Sequence, residues 1–179
     1  MAPSRTEIEA ESWAFALAIY ARPGVAPACL TLQNEAGVDV MLLLMASFAA
    51  VRLRILLSQD EIAALDEACR PWRERIVWPL RAIRSELKMG PKPAPNGDTE
   101  QFRSKVKAVE LAAEKLQNQL LAGCLPLRPP GINAVTSEQL RVVLDRLVSL
   151  FREKRDEKPA VNLSPPIATI VEAAMQDTS

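Results

Sequence analysis

The sequence contains no histidine, so it lacks the side chain that most often serves as a general base or metal ligand near neutral pH. Ser-His-Asp and Cys-His catalytic arrangements are therefore excluded. With six glycines, the chain contains neither G-x-x-x-x-G-K nor G-x-G-x-x-G, the patterns of common phosphate-binding loops. These absences favour a protein without catalytic activity, and we expect neither a cofactor nor a metal site.

Cysteine is also scarce, and the chain has no excess charge of either sign. Cys29, Cys69 and Cys124 lie far apart without a C-x-x-C pair, which argues against a disulfide framework or a zinc site. We interpret all three as reduced, buried and small apolar side chains of a cytoplasmic protein. Lysine and arginine number 22 and so do aspartate and glutamate, so no overall field favours a nucleic-acid partner. The polar, acidic N-terminus does not resemble a signal peptide.

Aromatic residues make up only 4% of the chain, while alanine and leucine are abundant and β-branched runs are few. This composition favours helices over strands. A chain of 179 residues is long enough to form one domain with its own core. The sequence therefore predicts an all-α fold, an irregular bundle of about six helices with a long C-terminal helical hairpin.

A mostly apolar stretch between residues 13 and 57 forms the centre of the predicted fold. Breaks at Pro23-Gly24 and at Gly37 divide it into three helices, over residues 7–21, 25–36 and 40–57. Val40–Val51 has no charge, but it is shorter than the roughly 20 residues that span a bilayer. A helix that is apolar all round belongs in a core or a membrane. We interpret this one as a buried core helix.

Helix starts are indicated by the capping-box spacing, in which two side chains satisfy free N–H groups of the first turn. The pattern occurs at Thr6-Glu9, Ser58-Glu61, Asp98-Gln101 and Thr136-Gln139, and Asp39 is placed to cap the third helix. After Ser58, apolar residues recur every three or four positions as far as Leu87. Pro71 and Pro79 interrupt this stripe, so we expect a bent helix, or two helices meeting near Pro71, that ends at Met89-Gly90.

Four segments follow from these patterns. Residues 1–89 form an N-terminal helical core, and 90–99, rich in proline and glycine, form a mobile linker. Residues 100–157 form the helical hairpin. Residues 158–179 form a loosely held tail in which Pro166 to Met175 can make a short helix. The first hairpin helix carries a heptad-like seam that can pack within the chain or against a second copy. Its members are Phe102, Val106, Val109, Ala113, Leu116 and Leu120.

The strongest local charge lies in the basic segment, residues 70–92, where seven basic and two acidic residues give a net charge of +5. Basic residues interleaved with Trp72 and Trp78 can indicate contact with nucleic acid or anionic lipid. We favour instead pairing of these arginines with the acidic first helix. Arg52 and Arg54 follow the apolar third helix, and we favour stems that extend along the core surface to water. Alternatively, they face a cleft and bind an anion or a partner carboxylate.

The N-terminal pattern W-x-F-A-L-x-x-Y-x-x-P-G-V begins at Trp13. It resembles the opening of a proteobacterial family of short hypothetical proteins, the domain of unknown function 2390. W-x-x-x-x-V-x-P-L-R from Trp72 and K-x-K-x-x-E from Lys105 fit that family too, and the resemblance covers about residues 12–122. It implies an all-helical cytosolic bacterial protein and no particular activity. The polar members of the pattern are our candidate binding residues: Tyr20, Gln33, Asp39, Arg81, Arg84 and Lys88.

The sequence thus favours a non-catalytic protein-interaction or assembly module whose partner is another protein or a second copy of the chain. The first alternative is a small-molecule binder or enzyme, which requires Tyr20, Asp39, Arg81 and Arg84 to converge on one pocket. The second is contact with nucleic acid or anionic lipid through the basic segment, which we do not favour; nor do we favour a membrane partner.

Overall fold

The computed structural model describes residues 4–155 and 161–177, and all of their regular structure is helical. Since α4, a π-helical segment and α5 follow one another without a break, these residues form seven separate rods. The fold is an irregular all-α bundle, as predicted. Its elements are α1 (Arg5–Tyr20), α2 (Val25–Ala36), α3 (Val40–Val51), α4 (Gln59–Trp72), the π segment (Arg73–Val77), α5 (Trp78–Glu86), α6 (Gly97–Cys124), α7 (Ser137–Glu153) and α8 (Ser164–Met175).

The core is built around α3. Every residue from Met41 to Val51 is buried, and α1, α4, α6, α7 and α8 pack around the helix. Phe48 is fully buried and meets Phe15 of α1 edge to face, with ring centroids 5.7 Å apart. The prediction of a buried core helix is confirmed.

Within the described residues, no single helix combines the length and the apolar character needed to cross a membrane. Taken together, α1 and α2 meet both criteria, but the two helices are bent by 98° relative to each other.

The predicted helix starts are confirmed at three places. Asp39 caps α3, and capping boxes open α4 at Ser58-Glu61 and α7 at Thr136-Gln139. Two predicted boxes are wrong, because a residue further upstream supplies an equivalent reciprocal pair and the helix begins there. Ser4 and Glu7 therefore open α1 instead of Thr6 and Glu9, and Asn96 and Thr99 open α6 instead of Asp98 and Gln101.

α3 ends earlier than predicted, at Val51 instead of Leu57. Arg54 has a φ of 59°, and this left-handed residue turns the chain. The Ile55 N–H then donates to the Ala49 carbonyl over 2.9 Å, and both Ile55 and Leu57 remain buried. The apolar run therefore continues into the core after the helix itself has stopped.

The proline-interrupted stripe takes the form of a continuous helical rod with a π-helical middle. Pro71 lies inside α4 and lacks the N–H for an intrahelical hydrogen bond, and the π segment begins two residues later. Pro79 lies in the first turn of α5, where a missing N–H costs little. The rod ends at Glu86, before the predicted Met89-Gly90.

The C-terminal part differs from the simple hairpin we expected. α6 and α7 both pack against α3, and neither uses the other as a principal neighbour, because the all-apolar α3 needs cover on every side. The tail also differs: α8 packs on α2 and α7, with Ile167, Ile170 and Ala174 buried. A loosely held tail is therefore wrong for residues 164–175, while residues 156–160 lie outside the described part of the chain.

Candidate functional site

Two groups of polar side chains lie where α6 meets the N-terminal helices. We define the inner cluster as Asp39, Asp66, Cys69, Arg70, Arg73, Gln117 and Lys154. We define the outer cluster as Tyr20, Gln33, Arg81, Arg84, Glu110 and Glu114.

The inner cluster is centred on Arg73 of the π segment, which is 4% exposed. Its Nη1 donates to Asp39 Oδ2 over 2.9 Å and to Asp66 Oδ1 over 2.7 Å. The guanidinium carbon lies 5.5 Å from the ring centroids of both Trp78 and Phe151. Two carboxylates and two aromatic rings therefore compensate the burial of one positive charge.

Asp39 divides its two carboxylate oxygens between different tasks. Oδ1 accepts from the backbone N–H groups of Met41 and Leu42 over 2.9 and 3.2 Å, which caps α3. Oδ2 accepts from Arg73 and, over 2.6 Å, from Nε2 of Gln117 on α6. One side chain thus fixes the start of the core helix and joins it to two neighbouring elements.

Asp66 is fully buried and receives three cations. Besides Arg73, it accepts from Lys154 Nζ over 2.6 Å and from Arg70 Nη2 over 3.2 Å. Burial is the largest single influence and opposes ionisation, but the hydrogen bonds from Lys154, Arg73 and Arg70 together outweigh it and lower the pKa of Asp66. The inner cluster is therefore a set of ion pairs, in which the Nε of Arg73 has no hydrogen-bond partner among residues 4–155 and 161–177.

The outer cluster joins α2, α5 and α6 nearer the surface. Arg81 donates to Gln33 Oε1, to Glu110 Oε1 over 3.1 Å and to Glu114 Oε1 over 2.8 Å. Arg84 donates to both carboxylate oxygens of Glu110. The arginine side chains remain 25% and 21% exposed, so water reaches this cluster, whereas Asp66 and Arg73 at the centre of the inner cluster are 0% and 4% exposed.

The two glutamates of the outer cluster differ in their pKa. For Glu110, burial is the largest influence, but hydrogen bonds from Arg84 and Arg81 overcome it and lower the pKa. For Glu114, burial dominates and the pKa is raised despite Arg81, with Glu110 and Asp39 adding repulsion. Burial also raises the pKa of the Tyr20 phenol, on which the charges of Glu114, Arg81 and Arg84 act as well.

The structure brings four of the six candidate binding residues together, namely Tyr20, Gln33, Arg81 and Arg84. Asp39 belongs to the neighbouring inner cluster, and Lys88 is exposed just beyond the end of α5. A separate shallow groove of about 460 Å³ lies between α7 and α8, and none of the six residues lines it. Tyr20, Arg81 and Arg84 lie in the outer cluster while Asp39 is buried in the ion pairs of the inner one, so the pocket hypothesis stays a prediction.

The basic segment uses most of its arginines inside the protein. Arg70, Arg73, Arg81 and Arg84 all pair with carboxylates of this chain. Our expected partner was wrong, because these carboxylates belong to Asp39, α4 and α6 and not to the acidic first helix. Arg52 also pairs internally, with Oδ2 of Asp177 over 2.7 Å.

The cysteines separate into two kinds. Cys29 and Cys69 are buried, as expected, and burial raises the pKa of each thiol to about 12. Such thiols stay protonated and unreactive near neutral pH. The expectation was wrong for Cys124, which ends α6 and is exposed. Within the described residues, no group of three or more potential ligands could hold a metal ion.

The heptad-like seam of α6 is only partly covered. Val106 and Ala113 are buried, whereas Phe102, Val109 and Leu116 are 53%, 54% and 52% exposed. We call these last three residues the outer row. On the rod that packs beside α6, Ile76 of the π segment and Ile83 of α5 are 37% and 46% exposed.

Comparison with known families agrees with the resemblance in the sequence. Residues 11–121 match the family model described as a protein of unknown function, DUF2390. The chain belongs to this family. No curated protein and no solved structure matches the chain. The DUF2390 region contains the outer row, the outer cluster and all of the inner cluster except Lys154.

Eight members of the clusters are absent from the six candidate binding residues: Asp66, Cys69, Arg70, Arg73, Glu110, Glu114, Gln117 and Lys154. Glu110 lies in the family pattern that starts at Lys105, and Glu114 follows one turn later. Asp66 and Arg73 are seven residues apart, which places two opposite charges on one side of a rod next to its apolar stripe. Both spacings were usable signals. Neither reveals that Arg73 also pairs with Asp39 or that Asp66 also pairs with Lys154.

Proposed function

We propose that this protein is a non-catalytic interaction module that binds another protein chain through the exposed apolar side of α5 and α6. The observation that carries this proposal is the outer row, where three large side chains at helical spacing remain more than half exposed. Contiguous apolar patches on soluble proteins often mark interaction sites.

The two clusters support this proposal by holding the apolar side in a fixed position. The outer cluster joins α5 to α6 through Arg81 and Arg84, and the inner cluster joins α6 to α3 through Gln117 and Asp39. A surface presented on ordered helices loses less conformational entropy on binding than a flexible segment does. The internal pairing of the arginines also argues against the basic segment as a nucleic-acid surface, because those charges are already neutralised.

The proposal is tested with the double variant Phe102→Glu/Leu116→Glu, which places charge at two exposed positions of the outer row. Leu30→Glu is the matched control, because Leu30 is 49% exposed on α2. Wild type and control should form a stable complex, alone or with a protein from the native cell extract. The double variant should keep its helical circular dichroism spectrum and lose the complex. Equal complex formation by all three, or a wild type that is always monomeric and unbound, would contradict the proposal.

A second candidate is small-molecule binding at the outer cluster, which the convergence of Tyr20, Gln33, Arg81 and Arg84 favours. A ligand there would have to compete with the carboxylates that the arginines already contact. A thermal-shift screen against metabolites tests it: a hit should raise the melting temperature of wild type but not of Tyr20→Phe/Gln33→Ala. No hit, or equal shifts in both proteins, would reject this candidate.

A further inference from the structure

We propose that the side of α2 and α3 on which α8 lies is a docking groove for an amphipathic helix, and that α8 is its reversible ligand in cis. While α8 is docked, it closes the groove to a partner protein's helix that has the same apolar spacing and a carboxylate after its last turn. This surface is separate from the outer row, so the inference does not depend on the proposed function. The apolar contact of α8, its length and capping, and the charges at its end carry the inference.

The groove belongs mainly to the family region, whereas the helix that fills it does not. α2 and α3 lie inside residues 11–121, which match the family model, and α8 lies outside them. α8 is the main neighbour of α2 and also contacts α3 and α7. A Cβ atom placed on Gly24 would come within 3.3 Å of Thr169 Cγ2, so the start of α2 lies close against α8. The family region therefore offers a surface that accepts a helix, and in this chain a segment from outside the region occupies it.

The side chains of α8 follow the pattern of a helix that binds in a groove. Ile167, Ile170 and Ala174 are 3%, 0% and 0% exposed, at steps of three and four residues. Ala168 and Glu172 on the same helix are exposed. Helices that dock into apolar grooves use anchors at positions i, i+3 or i+4, and i+7. The buried residues of α8 occupy these positions, so the groove selects an amphipathic helix with one apolar side.

The helical order of α8 depends on the groove. α8 has only 12 residues, and Leu163 at its N-cap supplies no side-chain hydrogen bond to the first turn. A free helix of this length is barely stable in water, because the few hydrogen bonds that it forms hardly repay its nucleation. Local opening of such a segment costs less free energy than unfolding of the whole core. We therefore expect α8 to unfold when it leaves the groove and to fold again as it docks.

Two arginines of the family region hold the end of α8. Asp177 Oδ2 accepts from Arg52 Nη2 over 2.7 Å, and Asp177 Oδ1 lies 3.7 Å from Arg22 Nη2. Arg22 also donates to Gln176 Oε1 over 2.6 Å. The dipole of α8 disfavours a carboxylate just after its last turn, and the two arginines compensate for this repulsion. They follow the ends of α1 and α3, where a positive charge is favourable. The arginines therefore recognise a carboxylate at one defined position of the docked helix.

Hydrogen exchange on the full chain tests whether α8 docks reversibly. The amides of α8 should exchange together and faster than those of α3, because undocking is a local opening. Asp177→Asn should raise the exchange rate of α8 by about twofold to fivefold and leave that of α3 unchanged. Glu172→Gln is the matched control, since it removes the same charge from an exposed position of α8, and it should change neither rate. Exchange of α8 at the rate of α3 in wild type would overturn the proposal.

Peptide exchange tests whether the groove accepts a helix in trans. A protease recognition sequence is inserted after Arg155, and the folded chain is then cut so that α8 is no longer covalently linked. A fluorescent peptide with the sequence of residues 161–177 should bind the cut protein, as measured by fluorescence polarisation. The uncut chain with the same insertion should bind the peptide at least about tenfold more weakly, because its linked α8 competes at a high effective concentration. A peptide with Ile170→Asp should bind neither protein.

Two results of the peptide experiment would overturn the proposal. Equal binding to the cut and uncut proteins would show that the peptide attaches outside the groove. No binding to a cut protein that keeps its helical circular dichroism spectrum would show that α8 is a permanent part of the core. If cutting unfolds the protein, the hydrogen-exchange result decides. Phe102→Glu/Leu116→Glu, cut in the same way, should bind the peptide like wild type, so this proposal and the proposed function fail separately.

Discussion

α3 and the outer row of α6 both consist of apolar residues at helical spacing, yet their environments are opposite. α3 is covered by neighbouring helices on all sides, while the outer row is half exposed. The difference follows from the width of the apolar surface. A helix that is apolar all round has to be internal, whereas a helix with a narrow stripe needs cover on one side only.

The two polar clusters also differ in how deeply they are buried. The inner cluster adjoins α3 and is closed to water around Asp66 and Arg73. The outer cluster lies further along α5 and α6, where Arg81 and Arg84 are partly exposed. The strength of an ion pair depends on its access to water. Similar substitutions in the two clusters should therefore change the free energy of unfolding by different amounts.

The largest effect is expected at Phe48 of α3. Phe48→Ala should lower the free energy of unfolding by about 3–5 kcal/mol, because it removes a fully buried ring and its contact with Phe15. Leu116→Ala in the outer row should change the same quantity by less than about 0.5 kcal/mol. Urea unfolding at a concentration where the protein is monomeric measures both. Equal losses would show that the row is not an exposed surface in solution.

Asp66→Asn should come next and should lower the free energy of unfolding by about 3 kcal/mol, because it leaves the buried Arg73 with Asp39 as its only carboxylate partner among the described residues. The matched control is Glu67→Gln, one residue away. Glu67 pairs with Arg70, but its side chain is 64% exposed, so the change should be within about 0.5 kcal/mol. Urea unfolding at pH 7 compares the two. Equal losses would contradict a closed inner cluster.

Substitutions of the two glutamates of the outer cluster should differ by a smaller amount in how far they lower the free energy of unfolding. Glu110→Gln should cost about 2 kcal/mol, since Glu110 is 5% exposed and bonds to Arg81 and Arg84. Glu114→Gln should cost less than about 1 kcal/mol, because burial already disfavours its charged form. Thermal unfolding measured at pH 7 tests the order, and the reverse order would contradict the assigned environments.

The last difference is expected in the dependence of stability on acid. The pKa values of Asp66 and Glu110 are lowered in the folded protein, so their contribution is complete above the unfolded pKa and is lost as pH falls through the folded pKa. Glu114 has a raised pKa and acts in the opposite direction. Below about pH 4, Asp66→Asn should therefore lose stability less steeply than wild type, by up to about 1.4 kcal/mol per pH unit. Parallel curves in urea titrations from pH 6 to 2.5 would contradict this.

Local signals predicted the helices better than they predicted their ends. The bounds of α2 agree with the sequence, because Gly37 takes a left-handed φ of 71° directly after the helix. Ser4 and Asn96 were missed as caps since overlapping capping patterns at Thr6 and Asp98 are equally good locally. The early end of α3 was not predictable from apolar pattern, because Ile55 and Leu57 are buried whether or not they are helical.

The polar residues of the candidate site were predicted only in part. Tyr20, Gln33, Arg81 and Arg84 were singled out and lie together in the outer cluster. The expected partners of the arginines were wrong, because long side chains reach carboxylates that are far away in the chain. Asp66 and Lys154 are 88 residues apart, for example. No local spacing encodes such a pair.

The sequence by itself determined that the chain is helical, that Val40–Val51 is internal and that histidine takes no part in its chemistry. Composition, capping patterns and helical periodicity are local properties and suffice for these conclusions. Only the tertiary structure decided which carboxylates neutralise Arg73, Arg81 and Arg84, and which side of the α6 seam stays exposed. Periodicity shows that a helix has an apolar side, but the packing of distant elements decides which part of that side is covered.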